Sequence, residues 1–171
     1  MSEPGHGQGH GIDAALFRQA MGRTASGVTV VTTDGDAGRG GVTVSSLCSL
    51  SMEPPSVLFC LHKGSRILPT LLANKVFVAN ILAHDQHRVA DSFAGLIPEL
   101  REDRFAVAEW DALHTGSPAL RDALCRFDCR IASVFEFGTH HIIAGEVVAL
   151  ESLETKPLVY SNRGYHKLHV V

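Results

Sequence analysis

The chain has 171 residues, 45% of them hydrophobic, which is enough for one buried core and short for two domains. Its net charge is −3 and its 15 Lys and Arg residues are scattered, so the basic stripe that nucleic acid or an anionic membrane needs is absent. No apolar run approaches the roughly 20 residues of a transmembrane helix, and the opening MSEPGHGQGHG has neither region of a secretory signal, so a cytoplasmic chain is expected.

Residues 1–11 are rich in Gly and His and have nothing to bury, so they are expected to form a disordered tail ahead of one domain, 12–171. IDAALFRQAMG (12–22) reads as the first helix: Asp13 caps it, Ile12 staples onto Phe17, and Leu16, Phe17, Ala20 and Met21 form an apolar stripe. GVTVVTT (27–33) is β-branched throughout, DGDAGRGG (34–41) is a Gly-rich turn, and VTVSSLCSLS (42–51) alternates as one strand. EPP (53–55) breaks the pattern before the apolar run SVLFCL (56–61). After the polar loop HKGS, RILPTLLAN (66–74) reads as a short helix with Pro69 tolerated in its first turn, and KVFVANIL (75–82) as a strand.

DQHRVADSFAG (85–95) is amphipathic, with Val89, Ala90 and Phe93 inward. The stretch 96–118 has poor periodicity and receives no element. RFDCRIASVFEF (126–137) alternates, with Phe127, Cys129, Ile131, Ser133 and Phe135 on one face, and reads as half exposed. HHIIAGEVVALESL (140–153) and a closing hairpin about SNRG complete seven or eight strands with few helices. That succession predicts an all-β, antiparallel barrel with peripheral helices rather than a βαβ sheet.

The four cysteines, Cys48, Cys60, Cys125 and Cys129, make no CxxC, and on one strand Cys125 and Cys129 stand about 13 Å apart, too far for a disulfide. They read as reduced, mostly buried thiols. Ten histidines invite a metal. Adjacent His140 and His141, however, face opposite ways in a strand, as do His166 and His169, so of the three close pairs only His84 and His87, three apart at a helix start, could chelate as a pair; His6 and His10 sit in a solvated tail, and no metal site is expected. Neither GxGxxG nor GxxxxGK[ST] is present, so a nucleotide would have to be held otherwise. Thr43, Ser45 and Ser46 offer hydroxyls beside small residues where a planar ligand could approach, or they simply make a polar strand. Lys63, Ser65 and Arg66 open a helix with cations and free amides suited to a phosphate.

Five stretches in order, FRQAMGRTASGVTVVTT, GVTVSSLCSLSMEPPSVLFCL, KVFVANIL, FDCRIASVFEFGTHHIIAGEVV and PLVYSNRGYHKL, resemble the flavin reductase-like, FMN-binding split-barrel proteins. The likeness is strongest to the short-chain flavin reductases of two-component flavin-dependent monooxygenases, and it covers about residues 14–168. It implies a Greek-key split barrel, a homodimer, and an NAD(P)H:flavin oxidoreductase that passes reduced FAD or FMN to a separate oxygenase. By the same resemblance Thr43, Val44, Ser45 and Ser46 line the flavin ring and ribityl chain. Cys60, Leu61, His62 and Lys63 edge the ring and phosphates, and Ser65 and Arg66 donate to phosphate.

His140 falls on the family residue near the nicotinamide of NADH or NADPH, with Tyr165 on the same side, while His141 is a strand residue facing away. Thr139 departs from the family's Asp. The alternative reading is a flavin- or heme-binding split-barrel module without turnover.

Overall fold

The computed structural model describes residues 11–169, so the expected tail lies outside the described residues except for Gly11, and His6 and His10 with it. The first helix, α1 (Ala14–Met21), is capped by Asp13, whose carboxylate accepts from the Ala15 N–H at 2.7 Å. Its apolar stripe is not buried: Ile12, Leu16, Phe17 and Met21 are all exposed, and no residue of α1 is buried. The helix stands off the body, tied at its end where Asn162 N–H donates to Gly22 O and the Ser161 hydroxyl to Arg23 O.

Next come β1 (Ser26–Gly27), β2 (Thr29–Thr33), β3 (Gly40–Val44), β4 (Cys48–Met52) and β5 (Pro55–His62). After α2 (Leu68–Asn74), β6 (Val76–Ile81) and α3 (His87–Phe93), the region expected to be irregular holds two 3-10 turns, Pro98–Leu100 and Arg104–Val107, and β7 (Trp110–Ala112). The chain continues with β8 (Pro118–Leu120), β9 (Cys125–Phe137), β10 (His140–Ser152), β11 (Leu158–Ser161) and β12 (Gly164–Lys167). A seven-stranded sheet runs β3-β2-β6-β9-β10-β5-β4 with every neighbouring pair antiparallel, a mostly-β architecture with helices outside.

The two strands at the ends of that order, β3 and β4, are the two halves of the Ser-rich segment expected as a single strand. The chain bends at Ser45–Leu47, leaving β2 on one side and joining β5 on the other, so the sheet closes on itself. The strand expected at 27–33 is likewise interrupted at Val28, because β1 pairs with β11 in a small separate sheet.

Burial of β2 on both faces follows from two cores. Val31 packs inside the barrel with Phe59, Leu71, Phe77 and Ile143. Val30 faces Leu82, Val89, Phe93 and Leu158 beneath α3. Gly145 is needed where β10 crosses this core, since a Cβ there would stand 2.4 Å from the Phe77 ring. The buried Asn80 side chain knits β2, β6 and β8, donating to Val30 O and accepting from Leu120 N–H.

Strand β9 is exposed lengthwise rather than face by face. Asp128 and Cys129 are both fully buried, whereas residues 132–137 are all exposed. Asp128 accepts from the His114 and Thr115 amides and the Thr115 hydroxyl, which holds the preceding loop to the strand. All four cysteines are free, but only Cys129 is buried: Cys60 and Cys125 are half-buried and Cys48 is exposed. Burial, reinforced by the Asp128 charge, pushes the Cys129 thiol up to about 12.

Candidate functional site

The bend that closes the barrel commits most of the Ser-rich segment to structure. The Ser46 hydroxyl accepts from Cys60 N–H at 2.9 Å and donates to Cys60 O at 3.2 Å, taking the place of a backbone pair between the bend and β5. Thr43 donates its hydroxyl to Ala90 O of α3 at 2.7 Å. Val44 and Leu61 bury their side chains in the barrel core, so only their backbones could meet a ligand. Ser45 is exposed at the bend, and Cys60 is half-buried.

Strand β5 ends at His62, directly opposite His140 at the start of β10. The two imidazoles meet in an edge-to-face arrangement, and both residues are exposed. His140 Nδ1 is hydrogen-bonded to the Thr139 hydroxyl, so the residue before it in the chain engages the ring. Lys63 is tied to the same hairpin twice, donating its amide to Thr139 O and its ammonium to Glu136. That bond, and then the Lys63 charge, holds the Glu136 carboxyl below the usual carboxylate range. His141 faces away from His140, and its Nδ1 is buried with no partner among the described residues.

Beyond the turn after His62 lies a cavity of about 730 Å³ between β3, the start of α2, the end of α3 and the 3-10 segment. Three of the predicted residues line it: Thr43, Ser65 and Arg66. Its size depends on Gly41, where a Cβ would stand 2.4 Å from the Phe93 ring.

The sequence reading missed Arg39, Arg101, Arg104 and Phe105, which also line the cavity. For Arg101, Arg104 and Phe105 the signal was the REDRF run inside the segment left without an element, whereas Arg39 sits in the Gly-rich turn 34–41 with nothing in the sequence to mark it. Tyr165 lies elsewhere. Its hydroxyl donates to Asp91 of α3 at 2.7 Å, and among the described residues no ring contact or hydrogen bond joins it to His140. Burial, with the Asp91 bond second, pushes the Tyr165 phenol above its ordinary range.

The site thus has two parts, an exposed histidine pair where β5 meets β10 and a separate arginine-rich cavity beyond the turn that follows His62, on an antiparallel barrel. Residues 21–169 match the flavin reductase like domain, and the chain belongs to that family. It is 41% identical over 157 residues to an NADH-dependent FMN reductase, RutF, of Enterobacter cloacae, covering 91% of this chain and 94% of that protein. Among solved structures, the NADH:FAD oxidoreductase SgcE6 of Streptomyces globisporus superposes with a TM-score of 0.84 at 29% identity, covering 92% of this chain and 93% of the other. The styrene monooxygenase flavin reductase of Pseudomonas putida S12 gives 0.79 at 26% identity over 91% and 98%.

The residues present fit a flavin nucleotide. The bend offers small polar groups, the cavity mouth offers Ser65 and Arg66, and Arg66 has no carboxylate partner among the described residues.

Proposed function

We propose that the protein is an NAD(P)H-dependent flavin reductase, with NADH the donor, that reduces FMN or FAD and releases the product to a separate oxygenase component. The observation that carries this reading is the span from Cys60 to Arg66. It begins at the Ser46 clasp, passes the His62–His140 pair, and ends at Ser65 and Arg66 on the cavity mouth. One short segment thus offers a ring edge, a nicotinamide edge and a phosphate end in the order a flavin requires.

When bound, the flavin supplies the ring that accepts a hydride from the dihydronicotinamide. The chain supplies position. Ser45 and the backbones of Val44 and Leu61 flank the ring, and Ser65 and Arg66 donate to the phosphate. His140, with Nδ1 held by Thr139, keeps Nε2 for the nicotinamide carboxamide and fixes its angle over the ring.

The enzyme is read as a cytoplasmic homodimer. No described helix is long and apolar enough to cross a membrane, and the free cysteines, Cys48 exposed among them, suit a reducing compartment. Two exposed apolar surfaces, the stripe of α1 and Phe135 with Phe137 on β9, support a second copy of the chain as partner.

Anaerobic oxidation of NADH and NADPH, without flavin and then with excess FMN, FAD or riboflavin, tests the reading. Turnover that rises with added flavin is the expected result. A tightly retained chromophore with negligible nicotinamide oxidation would replace it with a binding module.

A further inference from the structure

We propose that Phe137 is a wall of the nicotinamide site, its ring covering the face of the nicotinamide that the flavin leaves open. The proposal rests on the reading that places the flavin along β5 and the nicotinamide at His140.

Strand order decides which side chains can share this space. In the sheet, β10 lies between β5 and β9, and His140 stands directly opposite His62 on one side and Phe137 on the other. Residues directly opposite in an antiparallel ladder point to the same face, so His62, His140 and Phe137 form one row across three strands. Neighbouring strands lie about 4.8 Å apart, and side chains stand roughly perpendicular to the sheet. A nicotinamide held by its carboxamide at His140 therefore has the flavin on its β5 side and Phe137 on its β9 side.

The row is fixed at its tip. The turn Gly138–Thr139 joins β9 to β10 with Gly138 at a φ of +54°, and a slip of one residue would send Phe137 to the opposite face. Lys63 ties that hairpin to the end of β5 twice, through Thr139 O and through Glu136, the residue before Phe137.

The Phe137 ring has no partner of its own. It is 81% exposed, more than any other Phe, Tyr or Trp among the described residues, and it joins none of their ring–ring contacts. The other exposed rings are placed differently. Phe17 belongs to the stripe of α1, Tyr160 packs edge-on against Tyr165, and Phe135 lies one row back, in line with Ile142 and Cys60. Phe137 alone shares a row with the histidine pair. Its chemistry suits the place, because the nicotinamide ring becomes a cation when it gives its hydride to the flavin, and the face of an aromatic ring attracts a cation.

The test combines equilibrium binding with kinetics on the full-length protein saturated with oxidised FMN. NAD+, and ADP-ribose, which lacks the nicotinamide, would be titrated by calorimetry. The proteins compared are the wild type, Phe137→Ala, Phe137→Leu, Phe137→Tyr and Phe135→Ala, with the mass of each followed by light scattering. Phe137→Ala should raise the Kd of NAD+ and the KM of NADH about fivefold, and the Kd values of ADP-ribose and FMN by less than about twofold. Phe137→Tyr should stay within about twofold of the wild type, as should Phe135→Ala, whereas Phe137→Leu should behave as Phe137→Ala.

Full restoration by Leu, or an equal loss in Phe135→Ala, would make Phe137 part of a general apolar surface and overturn the proposal. So would unchanged NAD+ and NADH values in Phe137→Ala, or an equal loss of ADP-ribose, which would give the ring to the adenylate. A wild type that oxidises NADH yet binds no NAD+ would also overturn it, since the cationic ring is what Phe137 favours. A wild type that reduces no flavin with NADH would instead bring down the reading of the whole site, and this proposal with it.

Discussion

The rings of His62 and His140 meet across the β5–β10 ladder with centroids 5.2 Å apart and planes at 89°, and each has its Nδ1 engaged. Gly64 N–H donates to His62 Nδ1 at 2.9 Å, and Thr139 Oγ1 sits 2.9 Å from His140 Nδ1. Replacing His140 by Ala should lower the rate of flavin reduction about tenfold or more while leaving flavin affinity within about twofold. Rapid-mixing kinetics beside flavin titration reads both, and collapse of flavin binding would make His140 a structural residue. His62→Ala should produce a smaller fall in rate that His62→Phe partly restores, because a ring edge is what His140 rests on.

Ser65→Ala and Arg66→Ala test the phosphate end. Each should weaken FMN about tenfold and riboflavin hardly at all, since a charge-assisted hydrogen bond to phosphate is lost in one case only. Fluorescence titration of the two flavins decides it, and equal weakening would move the phosphate elsewhere.

Ser46→Ala removes both bonds of the barrel clasp and leaves the Cys60 amide and carbonyl without that partner. The expected cost is about 1–3 kcal/mol, or about 2–4 °C of melting temperature for each kcal/mol at this chain length. Calorimetry of the variant checks it, and an unchanged melting temperature would mean that the bend does not depend on the hydroxyl.

Tyr165 carries a pH dependence of stability. Its phenol is raised above the free value by burial first and the Asp91 bond second, so the neutral form belongs to the folded state. Its contribution is therefore complete below the ordinary tyrosine value of about 10 and is lost as pH climbs toward the folded value. Denaturant unfolding between about pH 8 and 11 should show stability falling above about 10 in the wild type, and less steeply in Tyr165→Phe.

The oligomer can be read by light scattering. The wild type should give twice the chain mass, and Phe17→Asp combined with Phe137→Asp should shift it toward one, because both rings are more than half exposed on the single chain. A monomeric wild type would remove the dimer from the proposed function.

Most elements were legible because their patterns are local: the β-branched run before Asp34, Pro69 in the first turn of α2, and the alternation of β9 each specify their own backbone. What alternation could not specify was a strand that changes partners. Gly40–Met52 keeps its period on both sides of the bend, yet only the closed sheet separates β3 from β4. The half-exposed reading of β9 failed similarly, since Asp128 is buried by donors from a loop that had no period to read.

At the candidate site, the resemblance supplied residues along the chain. The structure brought Thr43, Ser65 and Arg66 together, added four lining residues from turns, and set Tyr165 apart on β12, bonded to Asp91 of α3.

Strand β9 outruns its neighbour: β6 pairs with it only as far as Arg130, and the Ile131 amide is taken by Lys75 O. From there to Phe137 one side of the backbone has no strand beside it among the described residues, on a segment rich in apolar side chains. Such a margin invites a stray strand to add, and natural sheets guard it with charge. Between Ile131 and Phe137 the only charged residue is Glu136. The carboxylate that anchors Lys63 beside the histidine pair is therefore also the gatekeeper of an aggregation-prone edge, and solubility and site geometry hang on the same side chain.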